Sequence, residues 1–141
     1  MPIRDCPFIQ LSPQDIPRPI LPIKIINPHT GDEFTTYGII DTGADECAIP
    51  AGIASIVGHN LQAGTTKSIK TGNGVTTAYA HTTKFEIFHP VTSALAYTIP
   101  DTPIDFLPNL HVVLLGVKNF LSRFILEVDY PRKVFSIRNT R

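Results

Sequence analysis

Thirteen prolines are spread through a chain of 141 residues. Each removes a backbone donor and fixes φ near about −65°, so long helices have little room to form. Short strands joined by defined turns suit such a chain, and the residues between the prolines read that way. Ile20 to Ile26 alternates in part between apolar and polar positions, then runs into the turn cluster Asn27-Pro28-His29-Thr30-Gly31-Asp32. Glu33 to Ile40 is the return strand. Thr65 to Lys70 and Val75 to Phe88 form the arms of a hairpin around Gly72-Asn73-Gly74, and Asn-Gly is the strongest short hairpin signal. Thr, Val, Tyr and Phe enrich those arms, as they do strands in general. Leu95 to Ile99 is a further strand, and Asp101 to Asn109, with two prolines, reads as a loop. Leu110 to Leu115 is apolar apart from His111 and reads as a central buried strand. Phe124 to Tyr130 and Val134 to Ile137 are the last two strands. Short helices are expected at Pro50 to Gly58, where Pro50 suits the first turn and Gly58 the C-terminal cap, and at Val117 to Arg123. The expected fold class is all-β, a closed or partly closed barrel with one or two short helices. Residues 1–19 hold five prolines and read as an extended arm rather than a core element. A single domain is expected over residues 20–141.

Composition narrows the function classes. Hydrophobic residues make up 43% of the chain and charged residues 17%, enough for a core and too apolar for disorder. Twelve basic and twelve acidic residues cancel, and no basic run exceeds two, so nucleic acid is not an expected partner. No apolar run reaches the length of a transmembrane helix. Met1 to Cys6 lacks the charged region and apolar stretch of a signal peptide, so the expected location is the cytoplasm. Two cysteines, Cys6 and Cys47, do not make a disulfide framework, and Cys47 reads as a small buried hydrophobe. The five histidines are scattered without zinc-ligand spacing. Gly72-Asn73-Gly74 lacks the lysine and helix of a phosphate loop. Neither a metal nor a cofactor is expected.

The residues that carry chemistry are Asp41-Thr42-Gly43-Ala44. They follow the strand-like run Tyr37-Gly38-Ile39-Ile40 and precede a second apolar stretch, Cys47-Ala48-Ile49. A carboxylate at the end of a buried strand is costly unless hydrogen bonds or a shared proton compensate it. Such a position points to function, although Asp-Thr-Gly alone is also good turn chemistry.

Ile39-Ile40-Asp41-Thr42-Gly43-Ala44-Asp45 resembles the strand-then-catalytic-loop signature of the retropepsin-like aspartic proteases. Leu114-Leu115-Gly116 is similar to the family's second signature, and Thr71-Gly72-Asn73-Gly74-Val75 lies where the family carries its flap turn. The order and spacing of these segments carry the resemblance, which spans residues 20–138. It implies a single-lobe acid-protease barrel, active as a symmetric homodimer on a peptide or protein substrate. One Asp-Thr-Gly per chain leads to the same dimer, since a two-fold axis through the site supplies Asp41 from each subunit. Two carboxylates about 3 Å apart share one proton, so one serves as base and the other as acid.

The resemblance also assigns the neighbours. Thr42 would sit at the axis, and Gly43 would let a backbone amide approach the carboxylate. Ala44 and Asp45 would line the groove, with Asp45 contacting substrate backbone. Gly72, Asn73 and Gly74 would form the flap tip, whose amides bond an extended peptide. Glu46 either shapes a pocket or points to solvent. Gly116 would allow close packing beneath the catalytic loop.

The chain departs from the viral pattern in two places. It has Gly116-Val117-Lys118-Asn119 where retroviral members carry an arginine, which leaves Lys118 and Arg123 as candidate partners for Asp45. The helix after Pro50 is closer to cellular and bacterial relatives. Val134 to Ile137, left as a bare edge, would invite aggregation, so an intersubunit sheet is expected there. The arm would cross the partner subunit or be a site of self-cleavage. Ile49, Ile69, Val75 and Leu110 suggest a preference for hydrophobic side chains. Two further readings are a non-catalytic peptide-binding or assembly module on the same fold, and an unrelated β-barrel in which Asp-Thr-Gly is only a turn.

Overall fold

A computed structural model describes residues 3–72 and 74–140. Ten strands make up most of it: β1 (Ile3–Pro7), β2 (Ile20–Ile26), β3 (Glu33–Ile40), β4 (Ala48–Pro50), β5 (Thr65–Thr71), β6 (Gly74–Phe88), β7 (Leu95–Leu107), β8 (Val113–Leu115), β9 (Phe124–Asp129) and β10 (Val134–Asn139). Seven of them form one sheet in the order β2-β3-β8-β4-β7-β6-β5. A second pairing of β2 with β6, from Ile23↔Ile87 to Ile26↔Lys84, closes six of these strands into a barrel. The remaining strand, β5, extends the long hairpin beyond the barrel wall.

Alternation explains why these segments close. Ile23 and Ile25 on β2, Phe85 and Ile87 on β6, and Ile104 and Phe106 on β7 are at most 1% exposed, while the residues between them face outward or sit at lateral contacts. Full burial of each such side chain stabilises by about 1.5–3 kcal/mol, and the β2–β6 pairing removes the free edge that β2 would otherwise present. The expectation of an all-β barrel therefore holds. The strands expected at Ile20 to Ile26, Glu33 to Ile40 and Phe124 to Tyr130 appear within a residue of those limits.

Four local expectations change. First, β7 runs on to Leu107 through the segment expected to be a loop. Pro100 and Pro103 lie where β7 has a partner on one edge only, because β4 engages just Asp105, Phe106 and Leu107. A missing N–H is tolerated on such an edge. Second, the central strand of the 110–115 run is shorter than expected, Val113–Leu115.

Third, the expected helices are 3-10 turns, Ala51–Ile53 and Leu121–Arg123, with another at Leu61–Ala63. After the first, the chain continues as turns in which the Val57 N–H donates to Ile53 O, and Gly58 ends them at φ +79°. Fourth, the first residues of the arm are core. β1 pairs with β10, and Ile3 and Cys6 are each 1% exposed. The Val134 to Ile137 edge is thus covered within one chain, between β1 and β9. Residues 8–19 fold back on themselves through an Ile9↔Arg18 bridge.

Candidate active site

Asp41 follows directly on β3, and its backbone is fixed from the neighbouring strand. β3 and β8 run parallel with Ile40 opposite Leu115, and the Asp41 N–H donates to Leu115 O at 3.1 Å. The chain then turns: the Ala44 N–H donates to Asp41 O at 3.2 Å, and the Gly43 N–H donates to Asp41 Oδ1 at 2.9 Å. Asp41 is half-buried, whereas Thr42 and Gly43 are exposed beside it. A Cβ on Gly43 would stand 3.2 Å from Asp41 Oδ1, tight against the atom its own amide holds.

The loop rests on the turn after β8. Val117 N–H donates to Ala44 O at 3.0 Å and Lys118 N–H to Asp45 O at 2.8 Å. Gly116 passes so close that a Cβ there would collide with the Glu46 carbonyl and lie 2.8 Å from Ala44 O. Asn119 Oδ1 accepts from the Cys47 N–H at 2.8 Å, and the Gly116 N–H points to Cys47 Sγ at 3.4 Å. Burial pushes the Cys47 thiol up to about 11, so it is an unreactive packing residue, as its apolar neighbours suggested.

A groove of about 780 Å³ opens in front of this loop. It brings together Asp41, Gly43, Ala44 and Asp45 with Gly72 from the hairpin turn, and with Lys67 and Ile69 from β5. Gly74 has φ +111°, a conformation that favours glycine, and is exposed. Asn73 lies outside the described residues. Of the apolar residues expected to shape specificity, Ile69 lines the groove; Ile49 is wholly buried in the core, and Val75 is 69% exposed at the hairpin end.

Two residues of the groove were not singled out in the sequence. Asp105 on β7 is 6% exposed, and Lys67 on β5 bridges it to Glu46, with Nζ 3.0 Å from Asp105 Oδ2 and 2.8 Å from Glu46 Oε2. Lys118 adds a contact of 3.3 Å to Glu46. Glu46 therefore points into an ion-pair network. The hydrogen bond from Lys67 holds its carboxyl below the usual range, and the same bond, with that to Asp105, raises Lys67. Lys118 was a candidate partner for Asp45, but it goes to Glu46, and no cation among the described residues pairs with the exposed Asp45. Reading Asp101 to Asn109 as a loop concealed Asp105, because strand alternation in β7 turns that carboxylate away from the core side of Ile104 and Phe106 and toward the groove.

Among the described residues no group of three or more His, Cys, Asp or Glu side chains is arranged to hold a metal, and no helix is long and apolar enough to cross a membrane. No protein-family model and no curated protein matches the chain. Among solved structures it is similar to a retropepsin-like aspartic protease from Rickettsia conorii, at 19% identity over 87% of this chain and 99% of that one, with a TM-score of 0.58. The chain has the retropepsin-like barrel fold, with Asp41 and Gly43 of its Asp-Thr-Gly loop lining the groove.

Proposed function

We propose that this protein is an aspartic endopeptidase, in which Asp41 from each subunit of a symmetric homodimer activates one water. The observation that carries this reading is the Asp41 loop itself. A half-buried carboxylate, oriented by the Gly43 amide and beside an exposed Thr42, lines an open groove. A turn alone does not require the backing of Gly116 and β8, nor a groove in front of it. The alternative of an unrelated barrel with an incidental Asp-Thr-Gly turn has no such support.

In this reaction one Asp41 carboxylate takes a proton from the water while the other, protonated, gives its proton to the scissile carbonyl oxygen. The new C–O bond forms as the carbonyl π bond opens, giving a neutral tetrahedral diol. Transfer of a proton to the amide nitrogen then lets the C–N bond break, releasing a carboxylic acid and an amine, and the pair again holds one proton. Thr42 contacts its counterpart near the axis, and the Gly43 amide fixes the orientation of Asp41. Ala44 and Asp45 meet the substrate backbone, and Gly72, Asn73 and Gly74 close over it. No cofactor or metal takes part in these steps.

The test is digestion of an unstructured protein mixture between about pH 3 and 7, with Asp41→Asn alongside. Cleavage favoured by acid, and absent from a folded Asp41→Asn protein, is expected. Undiminished cleavage by that variant would sink the proposal. A folded protein that binds extended peptides without cutting them would be a binding module.

A further inference from the structure

The groove carries a charge cluster that the proposed Asp41 pair does not use. Its centre is Lys67, which crosses from the hairpin strand β5 to Asp105 on β7 and to Glu46 in the loop after β3. Lys118 supplies the second positive charge on Glu46. Two lysines and two carboxylates leave the cluster without net charge. Asp105 is nearly fully buried, and Lys67 is its one ion-pair partner among the described residues. Removing one partner of a buried pair leaves an uncompensated charge, which is strongly unfavourable. Ala48, Ile69, Leu107 and Leu114 line the same groove as the cluster.

Resting on the protease reading above, we propose that Lys67 determines specificity. By neutralising Asp105 and Glu46, it makes the pocket beside Leu107 and Leu114 accept uncharged substrate side chains and reject charged ones. A substrate lysine or arginine entering there meets the Lys67 ammonium, and an acidic side chain meets the Glu46 carboxylate with Asp105 behind it. Either contact sets like charges together at a partly solvated site, and discrimination by such repulsion is effective. An uncharged side chain packs on the apolar wall and leaves the network intact. The apolar residues form the pocket, but they do not exclude the aliphatic stem of a lysine, which packs readily on apolar surface. Exclusion falls to the charges.

The test maps cleavage sites in a random peptide library for the wild type, Lys67→Met, Asp105→Asn and the double variant. The wild type is expected to disfavour both charge signs at one subsite. Lys67→Met should enrich Lys and Arg at that subsite about five- to tenfold, the size of effect that one partly solvated charge contact supplies. Asp105→Asn should enrich Asp and Glu there instead, and the double variant should return to the wild-type profile. Unchanged profiles in both single variants, or shifts of the same sign, would overturn the proposal, as would a wild-type preference for charged side chains at that subsite. If Lys67→Met does not fold, the contrast between Asp105→Asn and the double variant decides the matter. If the wild type cuts nothing, the protease reading fails separately. Retention of the same library on immobilised protein is then the readout: opposite charge shifts in the two single variants support the role of Lys67, and their absence overturns it.

Discussion

Gly116 shows how a residue with no chemistry of its own can set the geometry of one that has it. The atoms that a Cβ would strike belong to the backbone of the Asp41 loop, at Glu46 and Ala44, and cannot rotate away. Gly116→Ala should therefore destabilise by about 1–3 kcal/mol, as overpacking does, and shift the loop that carries Asp41. Urea denaturation measures the first effect. Wild-type stability in the variant would show that the loop adjusts freely. Cys47, packed in the same place, gives an independent check. With its thiol pushed up to about 11 and 1% exposed, it should react with a disulfide reagent only on unfolding. Rapid modification of the folded protein would contradict the packing described. Asp41, Thr42 and Gly43 stand out in the sequence because they are consecutive, and Gly116 because it ends a second short motif. Lys67 and Asp105 do not, because two strands distant in sequence bring them together.

Among the elements, the turn region after Pro50 is tied to the barrel through His59. Asn27 Nδ2 lies 3.3 Å from His59 Nδ1 and donates to Val57 O, and Thr83 Oγ1 lies 3.3 Å from His59 Nε2. Thr83 donates its own hydroxyl proton to His81 O, which leaves the His59 Nε2–H to donate to Thr83 and His59 Nδ1 to accept from Asn27. His81 stacks on His59 with ring centroids 4.6 Å apart, and Phe106 meets both rings edge-on. Both ring nitrogens of His59 are thus occupied in its neutral form.

Burial first, then the proximity of His81 and His29, lowers the His59 pKa from the ordinary 6.5. A histidine depressed in the folded state is protonated more readily when unfolded. The stability it contributes is complete above about pH 6.5 and is lost as pH falls through the folded-state value. Glu46, also depressed, contributes in the same sense, its stabilisation present above its ordinary 4.5 and lost only below it. The melting temperature should therefore drop between about pH 7 and 5, and His59→Gln should drop less across that interval. An equal fall in both proteins would remove His59 as the cause. The strands β2, β3 and β9 were readable from alternation and bounding turns. The extension of β7 was not, because its prolines are harmless only where one strand edge has no neighbour.

At the scale of the whole molecule, the two sheets share one core. Ile3 and Cys6 of β1 join Phe135 and Ile137 of β10 in the same buried cluster as the barrel residues. Ile3→Ala should cost about 2–5 kcal/mol, the range for a fully buried isoleucine, measured by thermal or urea unfolding. A loss near zero would return β1 to the status of a dispensable arm. Pairing of β1 with β10 also means that one chain can cover its own terminal strand. If the protein works as a dimer, the partner must meet the remaining strand edges or the Thr42 face, and not a bare β10.

Proline spacing, side-chain alternation and a short motif are local signals, and they suffice to make the chain all-β, to locate most of its strands and to mark the loop that bears the carboxylate. The tertiary structure alone decided that β1 belongs to the core and that β10 is covered within the chain. It also decided that β7 turns Asp105 toward Lys67 in the groove. These outcomes depend on which strands become neighbours, and that pairing follows from closure of the barrel and burial across it, which no short stretch of residues encodes.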